Sequence, residues 1–175
     1  MAPISTFLVG FIGYLLLSVG ASPTEIGSRD LIGDVINAIG LGLVTKINAY
    51  ISVETFGNNL LSVDFDIKNP LLLELTIDRV VSKAGINGTV YASFDHTFTT
   101  PVVVKALNSA NSGKVPDVLL DQGVEKSLDI IPLLKLDLIS TDVYLRAATI
   151  KGKLGIPIPI KGLKQKDIPT SYQFV

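Results

Sequence analysis

From Lys46 onward the sequence alternates. Ile47, Ala49, Ile51 and Val53 interleave with Asn48, Tyr50, Ser52 and Glu54. Leu61, Val63, Phe65 and Ile67 interleave with Ser62, Asp64, Asp66 and Lys68, and Asn69-Pro70 then breaks the run. Leu73, Leu75 and Ile77 alternate with Glu74, Thr76 and Asp78; Val90, Ala92, Phe94, His96 and Phe98 alternate with Tyr91, Ser93, Asp95 and Thr97. A period of two sends successive side chains to opposite faces of a strand, so each segment has one apolar and one polar face. Gly57-Asn58-Asn59 and Gly85-Ile86-Asn87-Gly88 are turn signals between them. No helical pattern of ten residues separates the strands, which disfavours a parallel sheet of βαβ units. The expected class is mainly β, an antiparallel β-sandwich over residues 46–175 with one wet face per strand.

The later sequence is less regular. Asn108-Ser109-Ala110-Asn111-Ser112-Gly113 reads as a loop, and residues 116–123 as a short helical turn or an extended stretch. Residues 128–138, 143–153 and 156–160 read as strands, and 167–175 as a last one. Pro157 and Pro159 alternate with Ile156, Ile158 and Ile160. Proline cannot donate to a ladder, so this segment is expected at an edge.

The N-terminus differs from the rest. Residues 1–21 carry no charged side chain, residues 7–19 are nearly all apolar, and Val19-Gly20-Ala21 fits a small-residue cleavage pattern. The apolar run suits a signal peptide over 1–21 and is short for a bilayer span of about 20 residues. The first six residues hold no Lys or Arg. An uncleaved N-terminal membrane anchor is therefore the alternative. Residues 22–45 are expected to form an amphipathic helical segment. Leu31, Val35, Ile39 and Leu43 recur every four residues, and Ser28 or Asp30 offers a cap. The expected location is extracellular, secreted or at the cell surface.

Composition removes several kinds of chemistry. The chain has no cysteine and one histidine. Disulfides, Cys-ligated zinc, a thiol nucleophile and a two-histidine metal site are excluded together. No nucleophile elbow, phosphate loop, dinucleotide fingerprint or zinc-protease helix is present. Asp95 and His96 are neighbours, and on a strand they point to opposite faces. His96 falls on the apolar face as a structural residue. Asp64 and Asp66 share a face and read as solvated polar positions rather than a cation site. The chain is expected not to be an enzyme and to need no cofactor or metal. Fifteen basic against sixteen acidic residues give a net charge of −1, which gives no basis for nucleic-acid binding.

Charge is distributed unevenly. Arg146, Lys151, Lys153, Lys161, Lys164 and Lys166 form a basic run with no acid between Asp142 and Asp167. They are the candidate contacts for an anionic surface: lipid, a membrane or a cell-wall polymer. An ordinary solvated surface balancing acidic strands is the competing reading. Asn87-Gly88-Thr89 is the single glycosylation sequon, with Asn87 the candidate acceptor.

The segment from Val63 to Pro70, followed by Leu73 to Ile77, resembles the alternating strand, Asn-Pro break and next strand of the late embryogenesis abundant group 2 (water-stress/hypersensitive) β-sandwich domains. The closing Leu154-Gly-Ile-Pro-Ile-Pro-Ile160 and Ile168-Pro169 are similar to that family's C-terminal strands. The chain also resembles fungal secreted or membrane-anchored proteins of unknown function. The resemblance implies a non-catalytic protein associated with stress protection, with lipid contact in some relatives. The functional expectation is a secreted, non-catalytic protein that binds lipid, membrane or cell-surface material. The alternative is a stress-protective or structural extracellular protein without a defined ligand.

Overall fold

A computed structural model describes residues 42–175. The expected signal peptide over 1–21 lies outside the described residues, as does most of the expected helical segment over 22–45. Val44 and Thr45, the end of that segment, are already in a strand.

Eight strands follow: β1 (Val44–Ile51), β2 (Leu60–Lys68), β3 (Leu75–Ile86), β4 (Thr89–Val104), β5 (Ser109–Asn111), β6 (Val115–Leu120), β7 (Lys135–Ala147) and β8 (Ile156–Phe174). Two short helices, α1 (Thr55–Asn58) and α2 (Gly123–Leu128), and a 3-10 turn (Ile131–Leu133) connect them. The order around the sheet is β1-β8-β7-β3-β4-β6-β2, and β2 pairs again with β1. The sheet therefore closes into a seven-stranded barrel, with β5 paired to the end of β2 (Asp66 to Lys68), beyond the stretch that β6 pairs.

This corrects the expected sandwich. Alternation reports which face of a strand is apolar, and a barrel interior satisfies that as well as the space between two sheets. The deciding contact is the antiparallel pairing of β1 with β2, from Val44 opposite Ile67 to Tyr50 opposite Ser62. Its companion is a parallel pairing of β1 with β8, Ile47 opposite Thr170 through Ile51 opposite Phe174. All other strand pairs are antiparallel.

The inward residues are the apolar halves of the alternating segments. Ile47, Ala49, Ile51, Leu61, Val63, Phe65 and Ile67 are buried. Against β7, Asp78 is an extra residue of β3, a bulge between Ile77 (opposite Leu145) and Arg79 (opposite Tyr144). Against β4 the irregularity lies in β4, where residues 98–101 fall between the partners of Arg79 and Ile77. Residues 128–134, expected in a strand, instead finish α2 and form the 3-10 turn. The C-terminal segments 156–160 and 167–175 belong to one strand, β8. The expected turn at 85–88 is a two-residue hairpin, with Ile86 opposite Thr89 and positive φ at Asn87 (50°) and Gly88 (84°). Asn-Gly is the pair that such a turn favours.

β2 ends at Lys68, and Asn69 is fully buried at the end of the barrel. Its Nδ2 donates to the carbonyls of Leu73 (2.8 Å), Val104 (3.0 Å) and Lys105 (3.1 Å), and its Oδ1 accepts from Leu71 N (3.0 Å). The side chain thus ties the end of β4 to the β2–β3 connection. Asn69→Ala would strand these buried groups. We expect it to cost about 2–3 kcal/mol, read as a lower midpoint in urea unfolding.

Candidate anionic-surface site

Three connections meet at the Asn69 end: residues 69–74 between β2 and β3, 105–108 between β4 and β5, and 148–155 between β7 and β8. They are bonded to one another. Leu107 N donates to Leu71 O (2.9 Å) and Asn69 N to Asn108 O (2.8 Å). Glu74 holds the third loop: its Oε1 accepts from Thr149 Oγ1 and from Gly152 N, both at 2.8 Å. Arg146 completes the clasp. Its Nε and Nη2 grip both oxygens of Asp78 at 2.9 and 2.8 Å, while Nη1 donates to the carbonyls of Gly152 (3.1 Å) and Leu154 (2.9 Å). The β3 bulge is what supplies Asp78, and its hydrogen bonds raise the Arg146 pKa above its ordinary value. Gly152 packs so closely on the barrel that a Cβ there would lie 2.7 Å from Val103 Cγ2.

This fixed platform carries large apolar side chains in water. Leu72 is 85% exposed, Leu107 65%, Ile150 70% and Leu154 79%. Lys105, Lys151 and Lys153 are exposed among them. None of the three makes an ion pair among the described residues. The acids next to these lysines are engaged: Glu74 on the β2–β3 connection by the loop, and Asp78 in β3 by Arg146.

The structure divides the six expected basic contacts. Lys151 and Lys153 sit on the loop end. Arg146 is spent on the clasp. Lys161 pairs with Asp142 (2.9 Å), hydrogen-bonds the Tyr144 hydroxyl and lies 4.2 Å from that ring's centroid. The Tyr144 hydroxyl and Asp142 together raise the Lys161 pKa. Lys164 and Lys166 are exposed on the barrel wall, flanking Gln165, whose side chain pairs with the backbone of Val44. Asn87 is exposed in the β3–β4 turn at the opposite end from the loops.

The apolar tips are what sequence reading passed over. For Leu72 and Leu107 the signal was there, beside Asn69-Pro70 and Asn108, where no strand alternation demands an apolar side chain. Ile150, expected in a strand over 143–153, and Leu154 instead lie in the loop between the end of β7 at Ala147 and the start of β8 at Ile156.

The barrel interior offers little room. One apolar cavity of about 60 Å³ lies between Val63, Phe65, Val80, Phe94, Leu136 and Leu138. A second of about 40 Å³ adjoins it, the two sharing Ile47, Val63, Ala92 and Leu136. Pockets for drug-sized ligands run to roughly 300–1,000 Å³. Neither cavity holds an acyl chain. Tyr172 lines the second, its hydroxyl buried without a partner and its pKa pushed up by burial to about 12.

The polar wall is self-satisfied. Asn111 Nδ2 bridges Oδ1 of Asp64 and of Asp66, each at 2.8 Å. Asp64 also accepts from Asn48 (2.7 Å) and from the Tyr50 hydroxyl (2.6 Å). His96 is half-buried, its ring edge-on to Phe98 at 4.8 Å.

No protein-family model matches the sequence, and a search of curated proteins finds no relative.

Two outcomes are expected. Burial pushes the Asp64 carboxyl up, but the hydrogen bonds from Tyr50, Asn111 and Asn48 outweigh it and hold the group below the usual carboxylate range. A depressed carboxylate stabilises the fold above its unfolded pKa of about 3.9, and the contribution is lost as pH falls through the folded value. The stability gap between wild type and Asp64→Asn should be widest near pH 7 and close toward about pH 2 in urea titrations. Tyr172→Phe removes an unpartnered hydroxyl, so it should leave stability unchanged or raise it by up to about 1 kcal/mol, read as Tm.

Proposed function

We propose that this chain is a non-catalytic, secreted or cell-surface β-barrel that binds anionic surfaces of lipid, membrane or cell-wall material through its loop end. One observation carries the reading. Three loops bonded into a single platform expose four aliphatic side chains together with Lys105, Lys151 and Lys153, with the neighbouring acids already engaged. Such a surface is complementary to an anionic one. The small cavities argue against carriage of a lipid inside the barrel. They also favour the second reading, a stress-protective or structural protein without a ligand, in line with the resemblance to the late embryogenesis abundant group 2 domains.

Flotation of the full chain with phosphatidylcholine vesicles, with and without phosphatidylserine, and retention on heparin-type beads would test the proposal. Each lysine near an anionic membrane contributes about 1 kcal/mol, so K151E/K153E should weaken binding at least about thirtyfold. K164E/K166E on the barrel wall should bind like the wild type. Wild-type protein that binds none of these surfaces would leave the second reading in place, checked by protection of a client enzyme during drying.

A further inference from the structure

We infer that the anionic surface is a lipid bilayer and that Leu72, Leu107, Ile150 and Leu154 enter its interface as a preformed wedge. This deepens the proposed function and rests on it.

Lysines alone would serve a polysaccharide or any other polyanion. A polar polymer offers nothing to four exposed aliphatic side chains, whereas the acyl boundary of a bilayer does. The lysines fit the same partner, because a side chain beside an inserted tip lays its stem along apolar surface and keeps its ammonium at the phosphates.

The exposure is built into the backbone. Leu107, Lys151 and Leu154 have φ of +54°, +52° and +60°. This left-handed region costs a residue with a Cβ about 1–2 kcal/mol. Glycine would occupy all three positions more cheaply, yet the chain places two leucines and a lysine there. Asn59, Asn87, Asp117, Leu134, Ala148 and Asp167 share this region of φ; at the platform all three of its occupants are exposed.

The loops are also suited to a medium of low polarity. Ile150 and Lys153 exchange both backbone hydrogen bonds (3.0 and 3.1 Å), closing the tip of the β7–β8 loop on itself. The carbonyls of Gly152 and Leu154 are capped by Arg146, Gly152 N by Glu74, Leu71 O by Leu107 N, and Leu73 O by Asn69. Backbone groups satisfied internally are what allow a segment to leave water. The clasp that orders the platform is internal too: Arg146 meets Asp78, and Glu74 meets Thr149 and Gly152.

The chain contains no tryptophan, so L154W supplies a single indole, excited selectively over the tyrosines, at an exposed tip. The probe is a vesicle of phosphatidylcholine and phosphatidylserine at about 7:3, which presents an anionic bilayer surface. Insertion predicts that L154W emission moves to shorter wavelength on binding and is quenched by lipids brominated high on the acyl chain. L107G and L154G relieve the positive-φ strain, so they should unfold at the same or higher urea concentration than the wild type. They should nevertheless bind at least about tenfold more weakly each, the least that burying one leucine supplies. Binding should persist in about 0.5 M salt, where exposed charges are screened.

The inference is overturned if the protein floats with anionic vesicles but the L154W emission stays put, the glycine variants bind as wild type and salt releases the protein. That result leaves the broader proposal of anionic-surface binding standing. Retention on heparin-type beads without flotation also overturns it and leaves the polymer version of that proposal. Binding to neither surface removes both.

Discussion

Everything in this molecule depends on β1 finding two partners at once. β1 lies antiparallel to β2 on one side and parallel to β8 on the other. The first pairing is local, joined through α1. The second brings Ile47 to Thr170 and Ile51 to Phe174, across almost the whole described chain. Without it the sheet would have two free edges and an apolar face with nothing to cover it. The chain has no cysteine to hold such a distant contact. Ladder hydrogen bonds and the enclosed apolar side chains must do so. Gln165 reinforces the junction by exchanging side-chain hydrogen bonds with the backbone of Val44, just before the parallel pairing begins.

Closure has a consequence at the barrel's end. A closed sheet fixes where each strand stops, and so where each loop starts. The buried Asn69, the paired hydroxyls of Thr76 and Thr149 (2.8 Å) and the Arg146–Asp78 pair then link loops that come from distant parts of the sequence. Arg146 and Asp78 are partly shielded from solvent, and the pairing is bidentate, the geometry in which an arginine positions best. The polar groups here serve as orientation. They decide which way the aliphatic tips and their lysines point.

Strand content and inward faces were legible because alternation is a local property. The buried set of β1 and β2 is the apolar half of each segment. Neighbour relations were not legible, since nothing in Ile47-Asn48-Ala49 names Thr170 as a partner. The bulge at Asp78 shifts the phase of β3 against β7 by one residue, which no pattern of apolar positions announces. The turns over 128–134 were misread as strand because Leu128, Ile130, Ile131, Leu133 and Leu134 fill a strand-like run while packing only partly inward. At the candidate site, Lys151 and Lys153 were visible as charges. That Arg146 and Lys161 were already committed was not, because their acids, Asp78 and Asp142, come from adjacent strands. The aliphatic tips were hidden for a different reason: an apolar residue in a β-rich sequence is read by default as core.

The hairpin turn at Asn87-Gly88 is the feature farthest along β3 from the loops. Twelve residues of β3 separate the two. At about 3.3 Å per residue, shortened by the tilt that closure imposes, the turn stands roughly 30 Å away. Whatever is attached there, a sugar at Asn87 or a label introduced for measurement, rides on the far pole of the barrel. With the loop end against a surface as proposed, it would report the height and tilt of the molecule without entering the contact.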